Sequence, residues 1–337
     1  MSHRARLGLM LWPAPDLNAD LARGQWADAA GYDDVWLPNA EGMFDPMALA
    51  TALAVTTSRV RIATGVVPMF NAPAPVLAAQ TSFIVAQAPG RFVLGLGSST
   101  GNMVQRWYGV PFEHPLRQLR EYLQLLRQIF AGGKTAFSGQ HLQSNGFRLQ
   151  SPPVPPVPLQ LGAMGPRMLA LAGELADGVV LNDFTPPGEL ANALAQIDLG
   201  AKRSGRRIEE LEIVKRRAVV VTRNAEEYAA TLAFYRQHFA FYASAPAYQA
   251  VMQRLGYGAA VDEVRAGYAS RDRARISAAI SEEMIHRIFL FGDAEHCITQ
   301  LKREYASGIH TLVVSPQAAT PDAFAHTAEA LRAARPA

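Results

Sequence analysis

Residues 92–101 read Phe92-Val93-Leu94-Gly95-Leu96-Gly97-Ser98-Ser99-Thr100-Gly101, an apolar run that ends in a glycine-rich turn. Such a segment invites comparison with a dinucleotide-binding sheet. There the turn carries G-x-G-x-x-G, and an acidic residue closes the next strand about 20 positions later. Here Thr100 occupies the place of the third glycine, and Glu113 lies in a proline-flanked loop rather than at a strand end. The first apolar run, 7–11, also stops at Trp12-Pro13 without a glycine turn. A dinucleotide fold is therefore disfavoured. The segment reads either as an ordinary strand-end turn or as a loop of small hydroxyls on the active face of a barrel.

Working outward, similar short apolar runs recur at 34–37, 60–64, 159–162, 178–181, 212–221, 288–291 and 311–314. They are continuous rather than alternating, as buried parallel strands are. Helical stretches separate them. Residues 18–30 have Asn18 as the expected N-cap and Gly31 at the C-terminal end; Asp45-Pro46 opens a second helix, with proline at its first position. Further helices are expected from Pro75 to about 87, and over 116–131, 166–176, 187–204, 294–307 and 320–334. The alternation breaks twice. Residues 132–158 hold two short β-like stretches, near 135–137 and 147–149, and a run of five prolines that favours extended backbone. Residues 224–285 read as helical and rich in Tyr, Phe and Arg. About eight strand–helix units in one chain point to an α/β fold, a (β/α)8 TIM barrel spanning 1–337 with insertions near 132–158 and 224–285. A doubly wound sheet with a separate helical domain is the competing architecture.

Composition narrows the function. The chain has 337 residues, 49% hydrophobic and 18% charged, enough for a large core without disulfide or metal staples. The net charge of +3 is too small and scattered to predict nucleic-acid binding. One cysteine, Cys297, fits a reducing compartment. No apolar run approaches the length of a membrane span, and a proline follows MSHRARLGLMLW too soon for a signal peptide's apolar region. A cytoplasmic protein is expected.

Several motifs bear on chemistry. Gly162-Ala163-Met164-Gly165-Pro166-Arg167 joins a strand to a helix, where free N–H groups and the positive dipole end suit a phosphate. Arg167 adds a charge-assisted contact; an ordinary connecting loop explains the segment equally well. Thr64-Gly65-Val66-Val67-Pro68 ends the third strand as a turn that admits a cis Val67–Pro68 bond. Lys215-Arg216-Arg217 reads as a solvated strand end, with inward-facing side chains as the alternative. The histidines show no HxxxH pair, and serine-hydrolase and Walker A motifs are absent, so no metal, acyl-transfer or nucleotide-triphosphate chemistry is expected.

Three blocks carry a likeness to a known family: 45–67 (DPMALATALAVTTSRVRIATGVV), 92–110 (FVLGLGSSTGNMVQRWYGV, continuing into PLRQLRE at 115–121) and 161–182 (LGAMGPRMLALAGELADGVVLN). Through them the chain resembles the bacterial luciferase-like flavin monooxygenase family, particularly its branch using coenzyme F420, a deazaflavin. The resemblance covers roughly residues 5–215 and is weak after Val221. It implies a TIM barrel with the cofactor at the C-terminal mouth. It further implies a non-proline cis peptide at Gly65–Val66, with Gly65, Val66, Val67 and Pro68 behind the ring. Ser98, Ser99 and Asn102 would border the ring and its side chain, and Ala163, Met164, Gly165, Pro166 and Arg167 would hold the phosphate. Trp12, Met43, Phe70 and Asn182, each just past a strand end, are expected to line an apolar substrate pocket.

One departure stands out. Asn39 and Ala40 occupy the positions where well-studied deazaflavin members carry Asp-His or Glu-His, and Thr100 stands where some sugar-phosphate dehydrogenases of the family carry a glutamate acid. Neither Asn39 nor Ala40 is a general base at neutral pH; Glu41 would serve if its loop folds inward. The expected function is an oxidoreductase that moves hydride between coenzyme F420 and a small organic substrate. An FMN-dependent monooxygenase and a non-catalytic ligand-binding barrel are the alternatives. No nucleic-acid or membrane partner is expected, and a homodimer is compatible with the sequence. Segment 224–285 reads as a lid over the mouth or as a surface or dimer-contact insertion.

Overall fold

The computed structural model describes residues 4–14, 16–39, 42–318 and 320–336. Eight parallel strands close into a barrel: β1 (Arg6–Met10), β2 (Asp34–Leu37), β3 (Arg61–Thr64), β4 (Phe92–Gly97), β5 (Leu159–Gly162), β6 (Gly178–Leu181), β7 (Glu212–Val221) and β8 (Thr311–Ser315). Each pairs with the next, and β8 pairs with β1, which completes the ring. The TIM barrel expected from the spacing of apolar runs is the fold found.

Eight helices cover the barrel: α1 (Leu17–Ala30), α2 (Pro46–Thr56), α3 (Ala74–Gln87), α4 (Pro115–Phe130), α5 (Pro166–Leu175), α6 (Pro187–Arg203), α7 (Ala294–Tyr305) and α8 (Pro321–Leu331). Asp16, not Asn18, caps α1, its carboxylate accepting the Asn18 N–H at 3.0 Å. The carboxylate two residues upstream has the reach that a residue already inside the first turn lacks. Gly31 ends α1 at φ +90°, and Asp45 caps α2 with Pro46 at its first position. Helix α3 starts one residue before Pro75.

The barrel interior is apolar in its middle, where Met10, Trp36, Ala63, Val93, Val180, Val214 and Val313 meet. At the N-terminal ends of the strands it is closed by charge. Arg61 donates to Asp34 through Nε and Nη2, both at 2.8 Å, and to Glu212 through Nη1 and Nη2 at 2.9 and 2.6 Å. Arg6 also binds Asp34, while Gln160 and the Thr311 hydroxyl bind Glu212. Six strands thus share one hydrogen-bonded plug. Burial alone would raise the Glu212 carboxyl, but the Arg61 charge and the donors around it hold its pKa down at about 2.

The apolar run at 288–291 is not a barrel strand. Its strand, Leu290–Gly292, pairs with the far end of β7, at Val219–Val221, outside the ring. Before it come five helices: Ala225–Ala243, Pro246–Arg254, Gly258–Ser270, Arg273–Ala278 and Glu282–Ile288. Asn224, Asp272 and Ser281 cap three of these through their side chains. They share a second apolar cluster around Tyr235, Phe239 and Phe289, which also takes in Phe184 after β6 and Ala218 and Val220 of β7. Segment 132–158 holds an antiparallel hairpin, Ala136–Ser138 with Gln143–Asn145. Its second strand precedes the expected 147–149; just beyond the ladder the Thr135 N–H donates to the Phe147 carbonyl and the Phe147 N–H to the Thr135 hydroxyl. Among the described residues the cis X-Pro bond is Val154–Pro155, not Val67–Pro68. No helix among them is long and apolar enough to cross a membrane.

The Lys215-Arg216-Arg217 triplet is not a solvated strand end. Lys215 and Arg217 point outward from β7 into the layer under α7, where both pair with Glu304, at 2.8 and 3.2 Å. Lys215 is fully buried, and burial lowers its pKa against the pull of Glu304. Arg216, between them, faces the barrel axis.

Candidate active site

Residues at and just past the C-terminal ends of β3 to β6, with Arg216 from within β7, line a cavity of about 660 Å³. Active sites of this fold lie at that face, because the connecting loops vary there without disturbing the strands. A larger groove, about 1070 Å³, runs outside the barrel beside Leu290–Gly292. Within it Arg223 binds Glu227 and Asp322, and Tyr228 binds Glu282. The barrel mouth is the better candidate because it lies at the C-terminal face of the barrel, where the loops after successive strands converge.

One wall is the turn after β3. The Gly65–Val66 bond is cis, as the family likeness implies. The Val66 side chain stands in the mouth, and β4 and β5 make room for it with glycine. A Cβ at Gly97 would lie 2.6 Å from Val66 Cγ2, and one at Gly162 would lie 3.1 Å from it. A Cβ at Gly95 would lie 2.0 Å from the Thr64 carbonyl oxygen. The glycines that mimic a dinucleotide motif are there to admit this turn. Val67 and Pro68 lie behind it, paired with Leu96 and Gly97.

The rim after β4 brings Ser98, Ser99 and Thr100 to the cavity. Ser99 has φ +57°, a left-handed conformation uncommon outside glycine and often found at functional loops. Asn102, on the short helix Gly101–Arg106, is not on the wall. The third side is the loop from Gly162 to Arg167, all of which lines the cavity. Gly165 is the N-cap of α5 and has no side chain to satisfy the helix end. Among the described residues the N–H groups of Met164 and Gly165 have no acceptor, and Arg167 has no carboxylate partner. A Cβ at Gly165 would meet nothing within 4 Å. Open space, free N–H groups and an uncommitted cation are what an oxyanion requires.

The far side is formed by Asn182, Arg216, Ala247 and Tyr248. Arg216 Nη2 donates to Asp183, whose other oxygen accepts the Ala218 N–H at 2.5 Å. Burial works against the Arg216 charge, but Asp183 more than compensates and raises its pKa. Burial also holds the Tyr248 phenol protonated, well above its usual range. Arg216 and Tyr248 were not anticipated from sequence. The inward alternation of the triplet hinted at the first; nothing local marks the second, which the insertion brings over the mouth.

The other expected site residues scatter around the mouth. Asn39 accepts a hydrogen bond from Asn71 at 2.7 Å and lies 3.4 Å from the Tyr108 hydroxyl, off the cavity wall. Glu41, with Ala40, lies outside the described residues. Trp12 packs near His238 of the helical insertion, Phe70 packs on Phe112, and Met43 is 41% exposed. Of the four substrate-pocket residues expected, Asn182 lines the cavity.

Barrel, cis turn and the loop from Gly162 to Arg167 together define a class, and comparison with known proteins identifies it: the chain belongs to the luciferase-like monooxygenase family, whose model matches residues 2–311. A Mycobacterium tuberculosis protein, provisionally named a coenzyme F420-dependent oxidoreductase, is 30% identical over 92% of this chain and 94% of its own. The 5,10-methylenetetrahydromethanopterin reductase of Archaeoglobus fulgidus is 27% identical over 88% of each chain. The solved structure of the coenzyme F420-dependent tetrahydromethanopterin reductase from Methanopyrus kandleri superposes with a TM-score of 0.82 at 21% identity, covering 98% of this chain and 97% of that one.

Proposed function

We propose that this enzyme is a coenzyme F420-dependent oxidoreductase acting on a small organic substrate. The observation that carries the reading is the loop from Gly162 to Arg167, which opens on the same cavity as the Gly65–Val66 turn. The relatives named above support the choice of a deazaflavin. When bound, such a cofactor supplies a carbon centre that gives or takes hydride.

The residues present fit it. Gly165 leaves room for a phosphate against the start of α5, the N–H groups of Met164 and Gly165 face it, and Arg167 adds charge. Gly65 and Val66 form an apolar backing for a planar ring, with Val67 and Pro68 stiffening that turn from behind. Ser98, Ser99 and Thr100 offer hydroxyls along the ring's edge. Among the described residues of the expected catalytic set, Thr100 reaches the cavity. Its hydroxyl orients by hydrogen bonding and is no general base. Asn39 serves as a polar support at the rim. The enzyme's own share is to bind, orient and exclude water.

An FMN-dependent monooxygenase would use the same phosphate loop, so activity separates the two. Reduced coenzyme F420 mixed with the protein and a panel of activated alkenes, aldehydes and sugar phosphates is expected to lose its hydride to at least one of them, without consuming oxygen. Turnover that requires FMN and oxygen would contradict the assignment; inactivity towards the whole panel despite coenzyme binding would favour a non-catalytic barrel.

A further inference from the structure

Arg216 is one inward-facing position above Val214, which belongs to the apolar layer inside the barrel. A guanidinium there has only Asp183 as hydrogen-bond acceptor among the described residues, met through Nη2, and its Nη1, unlike the buried Nε, is accessible and has no acceptor among them. A charged donor without a protein acceptor keeps its hydrogen-bonding capacity for whatever fills the cavity. Its place on a cavity wall points to an acceptor that arrives with a ligand.

Two more donors share that wall. The Asn182 amide Nδ2 lies 3.6 Å from the Met164 sulfur, a weak acceptor, and beside the Tyr248 hydroxyl. Asn182 is fixed from behind, its Oδ1 accepting the Phe184 N–H at 3.0 Å. Phe184 in turn packs edge-on against Tyr248 at 4.9 Å between ring centres. The three donors are therefore held by packing before any ligand enters.

Charge balance selects the ligand. Asp183 neutralises Arg216, so this end of the cavity offers donors without net positive charge. A second carboxylate would bring an uncompensated negative charge into a buried site, whereas a neutral oxygen would not. The uncommitted cation, Arg167, is at the other side, on the oxyanion loop. A carbonyl oxygen also gains negative charge when hydride reaches its carbon or the conjugated carbon, and preorganised donors stabilise that change.

We propose that Arg216, Asn182 and Tyr248 form the substrate end of the cavity and hold the carbonyl oxygen of a neutral ketone, aldehyde or enone. This rests on the oxidoreductase reading above. Asp183 is a positioning residue: it orients Arg216 through Nη2 and leaves Nη1 for the ligand.

The test is equilibrium binding of cyclohex-2-enone, cyclohexene and benzoate to protein with and without oxidised coenzyme F420, with the infrared stretch of the bound ketone as a second readout. The coenzyme Kd is measured separately for each variant. In the native protein the enone is expected to bind at least ~10-fold more tightly than the alkene, with its carbonyl stretch moved to lower frequency. Arg216→Met combined with Asp183→Asn removes both charges together and keeps an acceptor for the Ala218 N–H. It is expected to abolish the preference and the frequency shift while the coenzyme Kd changes less than about 2-fold. Arg216→Lys, in the native background, is expected to keep part of both.

A preference and shift that survive the double variant would overturn the proposal, as would no enone preference in the native protein. Tighter binding of benzoate than of enone would overturn the neutral-carbonyl class. Loss of coenzyme affinity in step with the enone preference would give Arg216 to the coenzyme instead. Failure of the native protein to bind coenzyme F420 would sink the parent reading alone, since the infrared shift is also read on the coenzyme-free chain.

Discussion

Gly165→Asp is expected to weaken coenzyme F420 binding by about 100-fold or more while leaving the fold intact or slightly firmer. Gly165 is the N-cap of α5, with φ −86° and ψ 155°, a conformation any residue adopts. A Cβ there meets nothing within 4 Å, so the new side chain causes no clash. Aspartate is moreover a favoured N-cap, worth a few tenths of a kcal/mol over glycine, roughly 0.3 kcal/mol. Its carboxylate would occupy the N–H groups that a phosphate needs, and would repel that phosphate. Two unit charges about 5 Å apart at an effective dielectric near 20 interact by roughly 3 kcal/mol, which is about 100-fold in affinity. Gly165→Asn, which caps without charge, is expected to fall between. The measurement pairs a coenzyme titration with thermal unfolding. Stability and affinity moving in opposite directions is the signature; unchanged affinity would remove the phosphate from this loop.

The second large effect lies at the opposite end of the barrel. Arg61→Ala leaves Asp34 and Glu212 buried without the guanidinium that bridges them. Breaking such a pair from one side costs about 3–5 kcal/mol. For a chain of this length that lowers the unfolding midpoint by about 5 °C, if unfolding is two-state. The loss also has a pH signature. Glu212 is held at about 2 in the folded chain against an ordinary 4.5. Because its folded pKa is depressed, its contribution to stability is full above about pH 4.5. That contribution disappears as pH falls through 2. The gap between native protein and variant is therefore widest near neutrality and narrows on acidification, as urea unfolding at a series of pH values would show. Arg61→Lys, which keeps charge but not the fork, is expected to recover part of the loss. Coenzyme affinity should be unaffected, since the apolar middle of the barrel separates plug from mouth.

The barrel was legible because its strands are buried on both faces and therefore read as short unbroken apolar runs. The same signal misplaced residues 288–291. Composition reports burial and not the layer that does the burying, and Phe289 and Phe291 are buried by the helical insertion rather than by the barrel. The triplet at 215–217 was misjudged for a related reason. Alternation correctly allowed an inward Arg216, but the partners that make burial tolerable, Asp183 and Glu304, are remote in sequence. At the site, the loop from Gly162 to Arg167, which lines the cavity, was marked locally by Gly165-Pro166 at a strand-to-helix junction. The Gly65–Val66 turn came from family likeness alone, and only the packing around Val66 and Thr64 explains why Gly95, Gly97 and Gly162 accompany it. Tyr248 carried no local signal, since its approach to the mouth depends on how five helices pack.

The central claim is the identity of the cofactor. Dialysed protein titrated with oxidised coenzyme F420 and, separately, with FMN, followed by absorbance, decides it. The expected result is saturable binding of coenzyme F420, at about one per chain and at least ~10-fold tighter than FMN, a margin of about 1.4 kcal/mol. Tight binding of FMN with none of coenzyme F420 would contradict it.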